Sequence, residues 1–355
     1  MKSARAIPLL APALLAGLLL LGQSAPAEAQ DRAANVLEKN DADGDGRIAR
    51  DEWKLNKSQF DAMDLDKDGY LSLDELRARF ASGKGPASQA TPSAAGTIAS
   101  MMPGQVGRVA LDEETFCGIG RFLKTCPAKS PFQRGLVETG LRPRFPEGLR
   151  CRDIDEQYAI DYTGNRGGVE SYHGGIDMPA PFGTPILAAA AGTVITKTVG
   201  EYSWRGVEII IRHAPEDTGL PVWIYTQYSH FDAMPAVAVG ERVKMGQNLG
   251  PTGNSGQGKT PGVQSNKRRP AIHFAVWYST RPQYVIASNQ LKVIPVDGWW
   301  MDPNALYRGN PPFDTATLKA LPEAEKKVPI PVMLKDGTTV PAGTKVIWPY
   351  ACEKE

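Results

Sequence analysis

The chain has 355 residues, with 40 Lys and Arg against 39 Asp and Glu. A net charge of +1 offers none of the basic surplus that draws proteins to nucleic acid, so that class of partner is excluded. The length beyond the leader, about 325 residues, predicts two or three domains.

Residues 1–29 read as a secretory signal peptide. Lys2 and Arg5 form a positive start, Ile7 to Leu21 is apolar, and Ala27-Glu28-Ala29 is a small-x-small cleavage site. The apolar run is shorter than the ~20 residues a spanning helix needs. No cysteine follows it to take a lipid. The expectation is an exported protein of the periplasm or cell envelope, with no membrane span after signal cleavage.

Residues 31–80 carry a tandem acidic motif. In Asp41-Ala42-Asp43-Gly44-Asp45-Gly46-Arg47-Ile48-Ala49-Arg50-Asp51-Glu52, aspartates stand at positions 1, 3 and 5 of twelve. Gly46 supplies the turn at 6, Arg47 its carbonyl at 7, and Glu52 a bidentate carboxylate at 12. The pattern recurs with Asp64, Asp66, Asp68, Gly69, Tyr70 and Glu75. This is the EF-hand calcium loop, twice, and it predicts two bound Ca²⁺. Position 9 is Ala49 in the first loop and Ser72 in the second, so the first is expected to bind more weakly. Ile48 and Leu71 at position 8 should pair between the loops. Trp53, Leu55, Phe60, Met63, Leu73, Leu76 and Phe80 should form a small all-α core.

Residues 81–106, rich in Ala, Ser, Gly and Pro, read as a flexible linker. Residues 107–154 carry no functional signature. Val109 to Phe122 suggests a short helix, and Pro127 to Pro146 reads as irregular. Four cysteines, Cys117, Cys126, Cys151 and Cys352, suit two disulfides in an exported chain. Of the three possible pairings, the one with a local bridge joins Cys117 to Cys126 and leaves Cys151 for Cys352. None has metal-site spacing.

From about 155 the texture is β. Residues 185–190, 192–195, 207–211, 222–226, 241–245 and 271–278 are short β-branched or aromatic runs between Gly and Pro. They predict a mainly antiparallel sheet domain over 155–307. Residues 308–355 form an extension, with a hairpin turn at Lys335-Asp336-Gly337-Thr338 and a last strand at Val346-Ile347-Trp348.

The chemistry centres on His173-Gly174-Gly175-Ile176-Asp177. On an extended strand, positions i and i+4 share a face. Imidazole and carboxylate together suit Zn²⁺, and a catalytic site needs a third ligand. The chain has four histidines, and His273, inside a strand-like run, is the candidate. His213 ends an apolar strand with no motif partner and reads as structural. With Tyr228-Ser229-His230 and the turn-rich Gly246 to Gly256, these pieces resemble the lysostaphin/LytM-type zinc metallopeptidases, which cut peptide bonds in peptidoglycan. The family order is His-x-x-x-Asp, Tyr-x-His, a Gly-rich turn, then His-x-His. Asp302-Pro303-Asn304-Ala305-Leu306 resembles the closing segment.

The resemblance implies a duplicated-hybrid-motif-like β domain and one Zn²⁺ on His173, Asp177 and His273. It implies a catalytic role beside the metal for His230, and peptidoglycan as partner. The sequence departs from the family at Ala271, where the first histidine of His-x-His is expected. Residues 257–270 carry Lys259, Lys267, Arg268 and Arg269 and no acid. They read as a solvated loop, or as one able to bind substrate carboxylates or place an arginine at the reacting oxygen. Three functions follow: a zinc endopeptidase of the wall; a catalytically impaired relative that binds wall or regulates another hydrolase; and a purely calcium-binding envelope protein.

Overall fold

A computed structural model describes residues 33, 36–42, 46–53, 57–65, 67–81, 102–122, 125–162, 172–198, 205–256, 269–287 and 292–355. The expected signal segment, most of the linker, Leu55, and Asp43, Asp45 and Asp66 lie outside the described residues.

The N-terminal motif folds as the tandem pattern requires. Strands β1 (Arg47–Ala49) and β2 (Tyr70–Ser72) pair antiparallel with Ile48 opposite Leu71. Helices Lys57–Met63 and Leu73–Ala81 flank the second loop. Ala33, Leu37, Ile48, Trp53, Phe60, Met63, Leu71 and Leu76 make a core of their own, with Leu73 and Phe80 packed at its edge.

Residues 102–162 build the approach to the β domain. The expected single helix is two elements: a 3-10 turn at Arg108–Ala110, then an α-helix at Glu113–Gly120. Asp112 caps the latter by accepting from Thr115 N, as its short acceptor suits. The stretch 127–146 is also more ordered than expected, with a helical turn at Ser130–Gln133 and strand β3 (Arg142–Arg144). Strand β4 (Leu149–Arg150) follows.

Then come β5 (Ile176–Pro179), β6 (Pro185–Leu187), β7 (Gly192–Thr198), β8 (Val207–His213), β9 (Trp223–Phe231), β10 (Arg242–Val243), β11 (Asn248–Pro251) and β12 (Ala271–Ser279). After these run β13 (Tyr284–Ala287), β14 (Lys292–Pro295), β15 (Trp299–Met301), β16 (Lys327–Pro329), β17 (Val332–Met333), β18 (Thr339–Val340) and β19 (Glu353–Lys354). The main sheet runs β10-β7-β8-β9-β12-β15, and β5 also pairs with β12. Its pairings are antiparallel, as expected.

Both faces of this sheet are covered, which is why β8, β9 and β12 are buried almost throughout. On one face, Tyr228 and Phe274 pack ring on ring at 5.2 Å. The Tyr228 hydroxyl accepts from Ala189 N, tying that face to the β6–β11 layer. His213 belongs to this core. It is fully buried, with Nδ1 2.6 Å from Ala191 O and Nε2 2.7 Å from Thr226 Oγ1. On the other face, the helix Glu113–Gly120 and the β13–β14 hairpin cover the lower half. Trp300 stacks beside Trp277 and donates its indole N–H to Gly118 O.

The C-terminal extension belongs to the same core. β16 pairs parallel with β3, and β19 pairs antiparallel with β4. Disulfides join Cys117 to Cys126 and Cys151 to Cys352. The hairpin turn expected at Lys335–Thr338 joins β17 to β18, with Gly337 at φ 86°. The expected strand at 346–348 is absent. Those residues are buried in irregular backbone, with Ile347 N donating to Ala189 O and Trp348 N to Pro331 O. They follow the contour of the core, and no neighbouring strand pairs with them.

Two predictions come from this packing. Trp348 has no exposed surface, lies against Phe145 and Tyr307, and donates its indole N–H to Arg152 O. Trp348→Ala should therefore cost the whole β domain about 3–5 kcal/mol in denaturant unfolding. If only a separate minor transition shifted, the extension would be an independent module. Second, burial lowers the His213 pKa from 6.5 to about 4. The folded state then holds fewer protons than the unfolded one between those values. Stability is full above the unfolded pKa and declines as pH falls towards the folded one. From pH 7 to 5 the wild type should lose about 2 kcal/mol more than His213→Gln. Parallel pH–stability profiles would exclude this.

Candidate metal centre

The first two candidate ligands sit where the extended backbone of residues 155–161 braces β5 and the residues before it. Asp155 N donates to Asp177 O and Asp177 N to Glu156 O. Ala159 N donates to His173 O and His173 N to Ile160 O. The strand begins only at Ile176, so His173 is not on the continuous strand expected from its spacing. The 155–161 backbone holds it in place instead. The glycines between do more than leave room. A Cβ at Gly175 would stand 2.5 Å from Phe274 O and 2.8 Å from the His273 ring. A Cβ at Gly174 would meet Arg121 and Trp300. The chain must pass this close for the two halves of the site to meet.

On β12, His273 lies directly opposite Asp177. Three donor atoms converge. His173 Nε2 is 3.1 Å from Asp177 Oδ1 and 3.0 Å from His273 Nδ1, and His273 Nδ1 is 3.0 Å from Asp177 Oδ1. Tetrahedral Zn²⁺ with bonds of ~2.0–2.1 Å places its ligands about 3.3 Å apart, so the cluster fits that ion's dimensions. His173 Nδ1 lies 2.9 Å from Gln157 O, a contact that needs an N–H, which leaves the lone pair on Nε2, facing the cluster. All three residues are buried. Burial lowers His273 to about 3, so it is neutral and able to ligate. Burial by itself would raise Asp177, but the imidazoles of His173 and His273 beside it outweigh that and hold it well below the ordinary carboxylate value.

His230 reaches the cluster by a different route. Alternation along β9 would put it on the core face with Tyr228. It does not go there, because His230 is the extra residue of a β-bulge. Phe231 pairs with Val207 and Ser229 with Glu208, leaving His230 between them at φ 71°. The bulge turns the side chain over. Its ring centroid lies 6.2 Å from that of His273. Its Nδ1 is 2.7 Å from Ser255 O, so Nδ1 carries the proton and Nε2 the lone pair. The Tyr-x-His spacing therefore divides between the two faces: the tyrosine goes to the core and the histidine to the site.

Several neighbours had no signal as site residues. Glu208 is buried across from Ser229, which in turn faces His273. It accepts from Gln227 Nε2 at 2.8 Å and Ser229 Oγ at 3.1 Å. Burial raises its pKa, and Arg205 partly offsets this. An acid inside the apolar run Val207 to Ile211 was the available clue. The segment 107–154 proves relevant, since Arg121 donates to Tyr172 O next to His173. Of the basic residues at 257–270, only Arg269 is described. It is bound to Asp155, with Nη1 3.8 Å from Asp177 Oδ2. Ala271, on the strand face of His273, is fully buried.

In the EF-hand loops, Gly46 and Gly69 take φ of 95° and 86°, the left-handed backbone that position 6 requires. Their N–H groups donate to Asp41 Oδ2 and Asp64 Oδ2. Glu52 accepts from Ala42 N and Ala49 N, and Glu75 from Leu65 N and Ser72 N. Asp68 lies 3.6 Å from Arg47, whose guanidinium covers the Tyr70 ring. Asp64 Oδ1 is buried with no hydrogen-bond partner. A carboxylate oxygen left this way inside an acidic loop suits a hard cation.

The family model for peptidase family M23 matches residues 171–285, and one for the EF hand matches residues 55–81. The chain is 36% identical over 138 residues to the peptidoglycan DD-endopeptidase ShyC of Vibrio cholerae, covering 39% of this chain and 26% of that protein. It is 28% identical over 152 residues to the cell division protein DipM of Caulobacter vibrioides, covering 43% and 21%. The matches thus span about a quarter or less of those relatives. The catalytic domain of lysostaphin from Staphylococcus simulans is 25% identical over 36% of this chain and 80% of that one, with a TM-score of 0.28. The stretch 171–285 is a domain of peptidase family M23, in a chain that also carries an EF-hand match ahead of it.

Proposed function

We propose that the chain is an exported zinc endopeptidase that cuts the cross-link peptides of peptidoglycan in the periplasm or envelope, and that its EF-hand pair binds two Ca²⁺. The observation that carries the reading is the buried triad His173, Asp177 and His273, with donor atoms 3.0–3.1 Å apart. His173, Asp177 and His273 would hold zinc, which would supply Lewis-acid chemistry for water and substrate. His230 is the general base. Its Nδ1–H is committed to Ser255 O, so Nε2 can take a proton from the attacking water and later pass it to the leaving amine. The hydrogen bond to Gln157 O orients His173.

A second reading rests on Ala271. The family motif has an imidazole there, and losing one such group typically lowers rate by ~10²–10⁴. The domain would then bind wall, or regulate another hydrolase. In a third reading the chain is a calcium-binding envelope protein without zinc.

Zinc content and digestion of purified peptidoglycan by the mature chain separate these. The wild type should hold zinc and release soluble fragments. Asp177→Ala should lose zinc and activity together. His230→Ala should keep zinc and lose ~10²–10⁴ in rate. Equal loss of zinc in both would overturn the division of roles. A wild type that holds zinc, is inert on several cross-link types and gains activity with Ala271→His would support the impaired reading. Calcium without zinc would support the third.

Residues 31–80 hold 13 acidic and 9 basic residues, a net −4, with three aspartates crowding each loop. Calcium should raise the helicity and melting temperature of a 31–80 fragment. Circular dichroism unchanged by millimolar calcium would defeat the assignment.

A further inference from the structure

We infer that Arg269, clamped by Asp155, is the positioning residue that holds Asp177 as a metal ligand. The inference rests on the zinc reading above and adds to it a residue outside the family motifs. Asp177 is buried, and its Oδ1 faces both ligand histidines. A carboxylate in that setting needs its second oxygen oriented too, because rotation about its Cβ–Cγ bond would swing Oδ1 out of the cluster. Arg269 Nη1 stands 3.8 Å from that second oxygen, Oδ2.

The guanidinium is fixed for the task. Its Nε and Nη2 donate to the two oxygens of Asp155, a fork-to-carboxylate pairing. Glu156 Oε1 is 3.7 Å away. Asp155 is itself tied to the ligand strand, since its N–H donates to Asp177 O at 3.1 Å. A ring therefore closes: Asp155 backbone to Asp177 backbone, Asp177 carboxylate to Arg269, and Arg269 back to the Asp155 carboxylate. The lead-in to β12 is pinned as well, with Ala180 N on Pro270 O and Ala271 N on Gly253 O. Ala271 and His273 share one side of β12, and Arg269 lies two residues before its start. Lysine could not replace this arginine, because a point charge cannot grip Asp155 with two donors and face Asp177 with a third.

The test is zinc affinity of the mature chain, measured by competition with a chromogenic chelator. Arg269→Gln should weaken zinc binding ~10–100-fold, the usual effect of removing a partner of a metal ligand. Asp155→Asn should weaken it in the same direction, and the double variant should be no weaker than Arg269→Gln alone, because Asp155 acts through the arginine. Melting temperatures in excess chelator should match the wild type for each variant. Affinities within twofold of wild type for Arg269→Gln, or fully additive losses in the double variant, would overturn the inference. So would a variant that melts lower in chelator yet binds zinc normally, which marks a purely structural role. A wild type that binds no zinc would instead remove the metallopeptidase reading and this inference with it.

Discussion

The site depends on the register of β12. That strand is hydrogen-bonded to β9 on one side and, in its first half, to β5 on the other. The pairing places His273 opposite Asp177 and Ser229 at once. A slip of one residue would send His273 to the core face and bring Phe274 to the site. The register is held by what lies beneath it. Phe274 packs on Tyr228, Ile176 and Ile272 are fully buried, and none of these can be turned outward without exposing a large apolar surface. The packed face thus sets the geometry of the polar one.

Two departures from regular sheet geometry make the site. The glycines at 174 and 175 let His173 approach β12 more closely than any chain with a Cβ could. The bulge at His230 reverses the direction of one side chain without disturbing Tyr228 two residues earlier. Backbone in the left-handed region is unfavourable for a histidine, and here Arg205 O, Gly253 N and Ser255 O hold it by hydrogen bonds. The bond to Ser255 O, one of the three that stabilise the bulge, also places the proton on Nδ1.

The segments around the M23 domain are part of its structure. The 155–161 stretch adds backbone hydrogen bonds to the ligand strand, the helix Glu113–Gly120 caps the lower sheet through Trp300, and the C-terminal residues pack beneath β6. The Cys151–Cys352 bridge joins stretches 201 residues apart, closing a long loop of the unfolded chain, which in the chain-entropy view contributes several kcal/mol. The charges near the site form local pairs. Arg269 meets Asp155, and the buried Glu208 accepts from Gln227 and Ser229, so that acid has partners in a setting where an isolated charge would be costly.

By itself, the sequence determined the EF-hand pair, the antiparallel β class, and the residue types of the candidate metal cluster. Each is written in local spacing: acids at 1, 3, 5 and 12 of a loop, apolar residues alternating between Gly and Pro, an imidazole four residues before a carboxylate. The segment 107–154 had no such signature, since its contribution is made by backbone groups and by Arg121 at a helix end. The irregular course of 346–348 could not be read from a run of β-formers, because a strand also needs a neighbour with open hydrogen-bonding groups. The side of the sheet taken by His230 was decided only in three dimensions, by one extra residue in a pairing between distant strands. The place of Arg269 was settled in the same way. A basic loop reads alike whether solvated or anchored, and only the meeting of Asp155, Asp177 and the start of β12 sets that one guanidinium beside the candidate metal cluster.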